Sequence, residues 1–146
     1  MLSPLKNIYL ADDDRDDAEL FQEALSEITS GYSLNVFTDG RALIDAVVVA
    51  DVLPDIIFID VNMPRLGGLD ALCELRENAA LRQVPVIIYS TSSSMAYVSK
   101  AHEGGANFYF VKPSDFTSLC SQISHFLFLD WDNYITPELG GFLLQA

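Results

Sequence analysis

Aspartates crowd the stretch LADDDRDDAEL at positions 10–20, where five of them occupy six consecutive positions. Asp12 and Asp13 directly follow an apolar segment, and Asp60 directly follows a second one, IIFI. If these carboxylates meet, they repel one another by several kcal/mol at a spacing of about 4 Å. Such a group needs a cation, and carboxylate oxygens are ligands that Mg²⁺ prefers.

A hydroxyl and an ammonium follow two more apolar segments. Ser90 ends the segment VIIYS, and Lys112 follows the segment FYFV. A cation, a hydroxyl and an ammonium around one aspartate are the groups that stabilise a phosphoryl group during its transfer. The pattern therefore indicates phosphoryl chemistry at Asp60, with Mg²⁺ as the cofactor.

These side chains can meet only if the segments that carry them form neighbouring strands. Five short segments rich in β-branched and aromatic residues are typical of buried strands: Asn7 to Ala11, Leu34 to Phe37, Ile56 to Ile59, Val86 to Tyr89 and Phe108 to Val111. Segments with helical spacing of apolar residues alternate with them, and the last runs from Phe116 to Phe128. The predicted N-caps of the second, fourth and fifth helices are Asp39, Ser93 or Ser94, and Ser114.

Strands that alternate with helices in this way predict an α/β fold, a doubly wound five-stranded parallel sheet of (βα)5 type. The common strand order for such a sheet is 2-1-3-4-5, in which the winding reverses between strands 1 and 3. Ligands bind at this reversal, beyond the carboxyl ends of the strands. Asp12, Asp13 and Asp60 stand at these ends, so we expect the functional site there.

Charge and composition narrow the class of protein. The chain has 146 residues, the usual length of one domain, and its 21 acidic residues outnumber its 8 basic ones. A formal charge of −13 makes direct binding to nucleic acid or to an anionic membrane unfavourable. The sequence contains neither a signal-peptide pattern nor the roughly 18 apolar residues of a membrane span. We expect a cytoplasmic protein.

The motifs, in this order, resemble those of a receiver domain of a two-component response regulator, and the resemblance runs from residue 7 to about residue 128. It implies the flavodoxin-like receiver fold, with Asp60 as the phosphoacceptor. It also implies that Asp13 is the principal carboxylate ligand of Mg²⁺, that Asp12 acts partly through water, and that Asn62 supplies its backbone carbonyl. Ser90, Lys112 and Tyr109 match the switch hydroxyl, the invariant lysine and the switch aromatic of that family.

The resemblance implies a function without catalytic turnover. We expect a stand-alone receiver domain at residues 1–128 and a short apolar extension at residues 129–146, with no output domain. A sensor histidine kinase or a histidine phosphotransfer protein would donate the phosphoryl group, slow self-dephosphorylation would remove it, and the signal would pass by protein contact to an unknown target. The apolar extension is either loose, packed on its own domain, or a surface for a homodimer.

Two other functions compete with this interpretation. An aspartyl-phosphate phosphohydrolase that depends on Mg²⁺ needs a general base, typically an acid two residues after the nucleophile. That position here is Asn62, whose side-chain amide cannot serve as a base. A flavodoxin-like electron carrier needs a phosphate loop rich in Ser, Thr and Gly, whereas DDDRDD repels a flavin phosphate.

Some of the acidic residues have a simpler interpretation. Asp14, Asp16 and Asp17 are predicted to serve as the N-cap and first-turn acids of the first helix, where the helix dipole favours negative charge. Tyr109 has a simpler interpretation too, as a strand aromatic that leans towards the surface.

Overall fold

The predicted strands form one parallel sheet in the computed structural model, which describes residues 4–145. The strands are β1 Asn7–Ala11, β2 Ser33–Phe37, β3 Ile56–Ile59, β4 Val86–Ser90, β5 Phe108–Val111 and β6 Leu143–Leu144. Their order is β2-β1-β3-β4-β5-β6, and every neighbouring pair is parallel. The predicted order 2-1-3-4-5 is therefore confirmed, and the prediction of five strands is corrected to six by a short strand from the C-terminal extension.

Helices connect the strands as the apolar spacing predicts. They are α1 Arg15–Ile28, α2 Gly40–Val48, α3 Gly68–Glu77, α4 Met95–Glu103, α5 Phe116–Phe128 and the single turn α6 Leu139–Phe142. Asp39 caps α2 as predicted, and Ser94 precedes α4 without forming a side-chain cap. The predicted cap of α5, Ser114, is wrong. Asp115 is the residue directly before the helix, so its carboxylate accepts a hydrogen bond of 2.7 Å from the backbone N–H of Ser118.

Both faces of the sheet are covered because successive strand residues point to opposite sides. On one side, Tyr9, Ile57, Ile59 and Ile88 pack with the apolar stripes of α2, α3 and α4. On the other, Ile8, Leu10, Phe58 and Phe110 pack with those of α1 and α5. Within residues 4–145 no helix combines the length and apolar character needed to cross a membrane.

The C-terminal extension packs on its own domain over the part that the structure describes. Phe142 is fully buried in the core beneath α4, and the Trp131 indole N–H donates a 2.8 Å hydrogen bond to the carbonyl of Phe126. Strand β6 pairs Leu143 with Tyr109 on the edge of the sheet. Of the interpretations offered for this segment, a loose tail is therefore wrong for residues 130–145.

Two contacts tie the extension to α4 and to the start of β5. The His102 ring lies edge-on to Phe142 with 4.9 Å between ring centroids, and its Nε2 lies 3.1 Å from the carbonyl oxygen of Pro137. The side-chain amide of Asn107 donates to the Thr136 hydroxyl over 3.2 Å. The extension is thus held by apolar burial and by polar contacts together.

Truncation of Phe142 should weaken the whole domain. We expect Phe142→Ala to lower the free energy of unfolding by about 3 kcal/mol, because it removes a fully buried aromatic ring and leaves a cavity. Urea unfolding followed by circular dichroism measures this change. Ile135→Ala is the matched control: this side chain lies in the same extension but is 87% exposed, so its loss should change little. Equal stability of Phe142→Ala and the wild type would contradict the packing described.

Candidate functional site

Backbone hydrogen bonds extend the sheet by one residue to fix the site. The N–H of Asp12 donates to the last residue of β2 over 2.9 Å, and the N–H of Asp60 donates to the last residue of β1 over 2.9 Å. The N–H of Lys112 donates to the last residue of β4 over 2.8 Å. The side chains of these three residues therefore start from rigid strand ends and converge at the carboxyl-terminal ends of the strands.

Three carboxylates meet at the reversal point of the sheet. Asp12, Asp13 and Asp60 each offer an oxygen within 4.8 Å of the other two. Asp12 and Asp60 are buried, whereas Asp13 is exposed to solvent. Oxygen donors of this charge and spacing fit a hard divalent cation such as Mg²⁺, because it compensates their repulsion and keeps several water ligands.

The Lys112 ammonium lies against the same carboxylates. Its Nζ is 2.8 Å from Asp12 Oδ2, 2.8 Å from Asp17 Oδ2 and 3.5 Å from Asp60 Oδ2. It also lies 4.9 Å from the centroid of the Tyr89 ring, which it faces. Burial lowers the pKa of Lys112, but the hydrogen bonds to Asp12 and Asp17 and the negative charges of Asp12 and Asp60 together raise it by more, so the net pKa lies above the ordinary value. Lys112 is therefore a permanent positive charge in the site.

Asp17 is a site residue that the sequence analysis missed. The sequence pattern groups it with Asp14 and Asp16 as an acid that serves the start of the first helix. Asp14 does so, because its carboxylate accepts hydrogen bonds from the backbone N–H groups of Asp16 and Asp17. The Asp17 carboxylate instead faces Lys112. The available signal was its spacing, since Asp17 precedes the core residue Phe21 by four positions and so lies on the inner side of α1.

The Asp60 carboxyl holds its proton more tightly than an ordinary aspartate. Burial raises its pKa most, Lys112 lowers it, and the neighbouring Asp12 raises it again, which brings the pKa of Asp60 from 3.8 to about 6. The ionised form is thus destabilised by its surroundings at neutral pH. A bound cation relieves this penalty, so the site is arranged to favour binding of a positive charge.

Ser90 and Tyr109 both reach Ser92 in the loop between β4 and α4. Ser90 is fully buried, and its hydroxyl accepts a 3.1 Å hydrogen bond from the N–H of Ser92. Tyr109 is also fully buried, and its hydroxyl donates to the carbonyl of Ser92 over 2.6 Å. Burial raises the pKa of Tyr109, so it stays a neutral donor. The interpretation of Tyr109 as a surface-leaning aromatic is wrong.

The loop after Asp60 is fixed by a close approach of α3. The N–H of Gly68 donates to the carbonyl of Val61 over 2.9 Å, and a Cβ at position 68 would overlap the carbonyl of Asp60, so this position requires glycine. Asn62 is exposed and lines a cavity of about 270 Å³ together with Tyr97 and Lys100 of α4. Its role as a metal ligand through the backbone carbonyl stays a prediction.

Comparison with known sequences identifies the family. A family model for the response regulator receiver domain matches residues 8–124, which is most of the chain. The chain belongs to the response regulator receiver family. Membership decides against the flavodoxin-like electron carrier and places the acidic site in the setting of two-component signalling.

Known relatives agree with this membership. Response regulator Rcp1 of Synechocystis sp. is 28% identical over 126 residues, which cover 83% of this chain and 86% of Rcp1. A solved structure of response regulator RPA3017, in red light signaling of R. palustris, is similar with a TM-score of 0.78 and 26% identity over 91% of this chain and 99% of that one. The bacteriophytochrome response regulator RtBRR is 30% identical with a TM-score of 0.72, over 92% of this chain and 85% of that one.

Neutralisation of Asp60 should stabilise the fold in a manner that depends on pH. Because the folded-state pKa of Asp60 lies above its unfolded value, ionised Asp60 costs stability above pH 7, costs less as the pH falls through about 6, and costs nothing below about 4. In metal-free buffer we expect Asp60→Asn to raise the free energy of unfolding by about 1–2 kcal/mol at pH 8, since solvent screens part of the penalty, and by almost nothing at pH 4. Urea unfolding at both pH values measures this difference.

The control for this prediction is Asp51→Asn, which removes an equal charge from an exposed loop position. It should leave the pH dependence unchanged. A gain for Asp60→Asn of the same size at both pH values would contradict the electrostatic origin.

Proposed function

We propose that the protein is a cytoplasmic response regulator that accepts a phosphoryl group on Asp60 in a reaction dependent on Mg²⁺. The donor is a sensor histidine kinase or a histidine phosphotransfer protein, and the output is a protein contact. The observation that carries the proposal is the grouping of Asp12, Asp13 and Asp60 within 4.8 Å, with the Lys112 ammonium 3.5 Å from Asp60.

Asp60 acts as the nucleophile in this proposal. One carboxylate oxygen attacks the phosphorus of a phosphohistidine in line, so that a P–O bond forms while the P–N bond breaks. The imidazole leaves with the electron pair and takes up a proton. The product is an acyl phosphate on Asp60. Water attack on the same phosphorus would break the P–O bond to Asp60, release inorganic phosphate and restore the carboxylate, so we expect slow self-dephosphorylation.

Asp12, Asp13 and Asp60, with the backbone carbonyl of Asn62, would hold Mg²⁺. When bound, Mg²⁺ neutralises the carboxylates and the charge that develops on the phosphoryl oxygens. Asp13 is exposed and free to coordinate directly, whereas Asp12 is buried and already bonded to Lys112. This difference supports Asp13 as the principal ligand and Asp12 as a ligand that acts partly through water.

Lys112 and Ser90 would recognise the phosphoryl group once it is attached. The ammonium is a compact charge on a flexible stem, so it can move from the carboxylates to a phosphoryl oxygen. The Ser90 hydroxyl would turn from Ser92 to donate to another oxygen. Since Tyr109 is already fully buried, we expect its response to be a change in its hydrogen bond to Ser92 and not a change in burial.

The output would leave through α4, β5 and the extension. Tyr109 is paired in register with Leu143 of β6, and α4 packs on Phe142 through His102. A rearrangement at Tyr109 therefore acts directly on the strand that the extension adds to the sheet. A homodimer formed through this segment stays a prediction, and the exposed side chain of Ile135 offers it an apolar contact.

The named relatives suggest the class of kinase. RPA3017 is a regulator in red light signaling, and RtBRR is a bacteriophytochrome response regulator. Their likeness in fold and sequence supports a phytochrome-type histidine kinase as the donor for this chain. The downstream target has no such support and stays unassigned.

Acetyl phosphate with Mg²⁺ should phosphorylate the wild type once. Intact-mass measurement should find a gain of a single phosphoryl group. Pretreatment with EDTA should prevent this gain, because the carboxylates repel the donor when no cation is bound. Asp60→Asn should gain nothing, while the exposed-site control Asp51→Asn should behave as the wild type. A phytochrome-type kinase then serves as the donor in the same assay. Equal labelling of Asp60→Asn and the wild type would refute the proposal.

A further inference from the structure

We propose that Asp17 is a positioning residue that draws the Lys112 ammonium away from Asp60 in the resting state and competes with the phosphoryl group for it. The inference rests on the proposed function, since it concerns the same lysine. It adds a residue of α1 to a site otherwise built from strand ends.

The Lys112 ammonium lies closer to Asp12 and Asp17 than to Asp60. An ammonium has three N–H donors, and here three carboxylates lie around it. Those of Asp12 and Asp17 are each 2.8 Å away, a charge-assisted hydrogen bond, whereas Asp60 is 3.5 Å away, at the limit of a hydrogen bond. The resting lysine is therefore shared mainly between Asp12 and Asp17, and its contact to the phosphoacceptor is the weakest of the three.

Asp17 belongs to a different element from the other two carboxylates around Lys112. Asp12 and Asp60 stand at strand ends, whereas Asp17 stands in the first turn of α1, so it approaches Lys112 from a different element. The Lys112 side chain is only 7% exposed and that of Asp17 is 29% exposed, so water weakens their attraction only in part. Removal of this carboxylate leaves the ammonium to the two strand-end carboxylates.

Phosphorylation changes the competition for Lys112. A phosphoryl group carries a charge of about −1.5 to −2 and three acceptor oxygens, so it attracts the ammonium more strongly than one carboxylate does. Movement of Lys112 towards this group on Asp60 weakens its contact with Asp17. The weakening of that ion pair opposes the phosphorylated state, which means that Asp17 lowers the affinity of the site for a phosphoryl group.

A role confined to the helix would predict something different. Both Asp16 and Asp17 lie in the first turn of α1, where the helix dipole favours an acid. Of these two acids, Asp17 alone contacts Lys112, and no hydrogen bond to the Asp16 carboxylate is found within residues 4–145. Asp16 is therefore a matched control, with the same charge and the same helical turn but without the contact.

The test is a titration of the full chain with beryllofluoride, a phosphoryl mimic, at fixed Mg²⁺. We expect Asp17→Asn and a second neutral variant, Asp17→Ser, to bind it more tightly than the wild type, on the order of threefold, which is the worth of a partly exposed ion pair. Asp16→Asn should bind as the wild type does. Asp17→Glu, which restores the charge, should return the affinity to the wild-type value.

A second measurement reports on the lysine itself. In protein labelled with ¹⁵N-lysine and without beryllofluoride, the Lys112 ammonium resonance should shift in Asp17→Asn and stay in place in Asp16→Asn. If the wild type binds beryllofluoride and the neutral variants at position 17 bind it equally or more weakly, the role of Asp17 is overturned while the proposed function stands. If the wild type does not bind it, both are overturned.

Discussion

The mutual repulsion of Asp12, Asp13 and Asp60 is the constraint on which the rest of the structure depends. Three carboxylate oxygens lie within 4.8 Å of one another because strand-end hydrogen bonds fix the backbones of Asp12 and Asp60 and the Lys112 ammonium lies beside both carboxylates. Desolvation leaves the pKa of Asp60 at about 6, so the site retains an electrostatic penalty that a cation can relieve. The penalty is local, whereas the stability that offsets it comes from the apolar cores on both faces of the sheet.

The same parallel sheet links the acidic site to the surface. Lys112 continues β5, and two residues within that strand, Tyr109 and Phe110, pair with β6. The Tyr109 hydroxyl reaches the loop after β4, where Ser90 also bonds. A rearrangement of charge at Asp60 therefore has a short, continuous path through β4 and β5 to the C-terminal extension. Because Phe142 is fully buried, the extension takes part in the core and is not a passive tail.

The sequence predicts the parts of this molecule that follow from local patterns. The strands before Asp12, Asp60 and Lys112 are apolar because both faces of the sheet are covered, so their boundaries and order could be inferred. The prediction missed Asp17 because an acid in a first helical turn is already explained by the helix dipole, and its spacing from Phe21 places it on the inner side of α1 without naming Lys112 as its partner. Strand β6 could not be predicted because two leucines are too few to show the alternating pattern of a strand. They pair with β5 only after the α6 turn places them at the sheet edge. The cap of α5 was misplaced by one residue because Ser114 and Asp115 are both good caps.

The central claim is that the three aspartates form one cation-dependent phosphoacceptor site. A crystal structure of the full chain with Mg²⁺ and beryllofluoride tests it most directly. The account predicts a cation coordinated by carboxylate oxygens of this group, beryllium bonded to an Asp60 oxygen, and the Lys112 ammonium moved towards the fluorides. A cation bound elsewhere, or an Asp60 carboxylate left unmodified under saturating beryllofluoride, would contradict it.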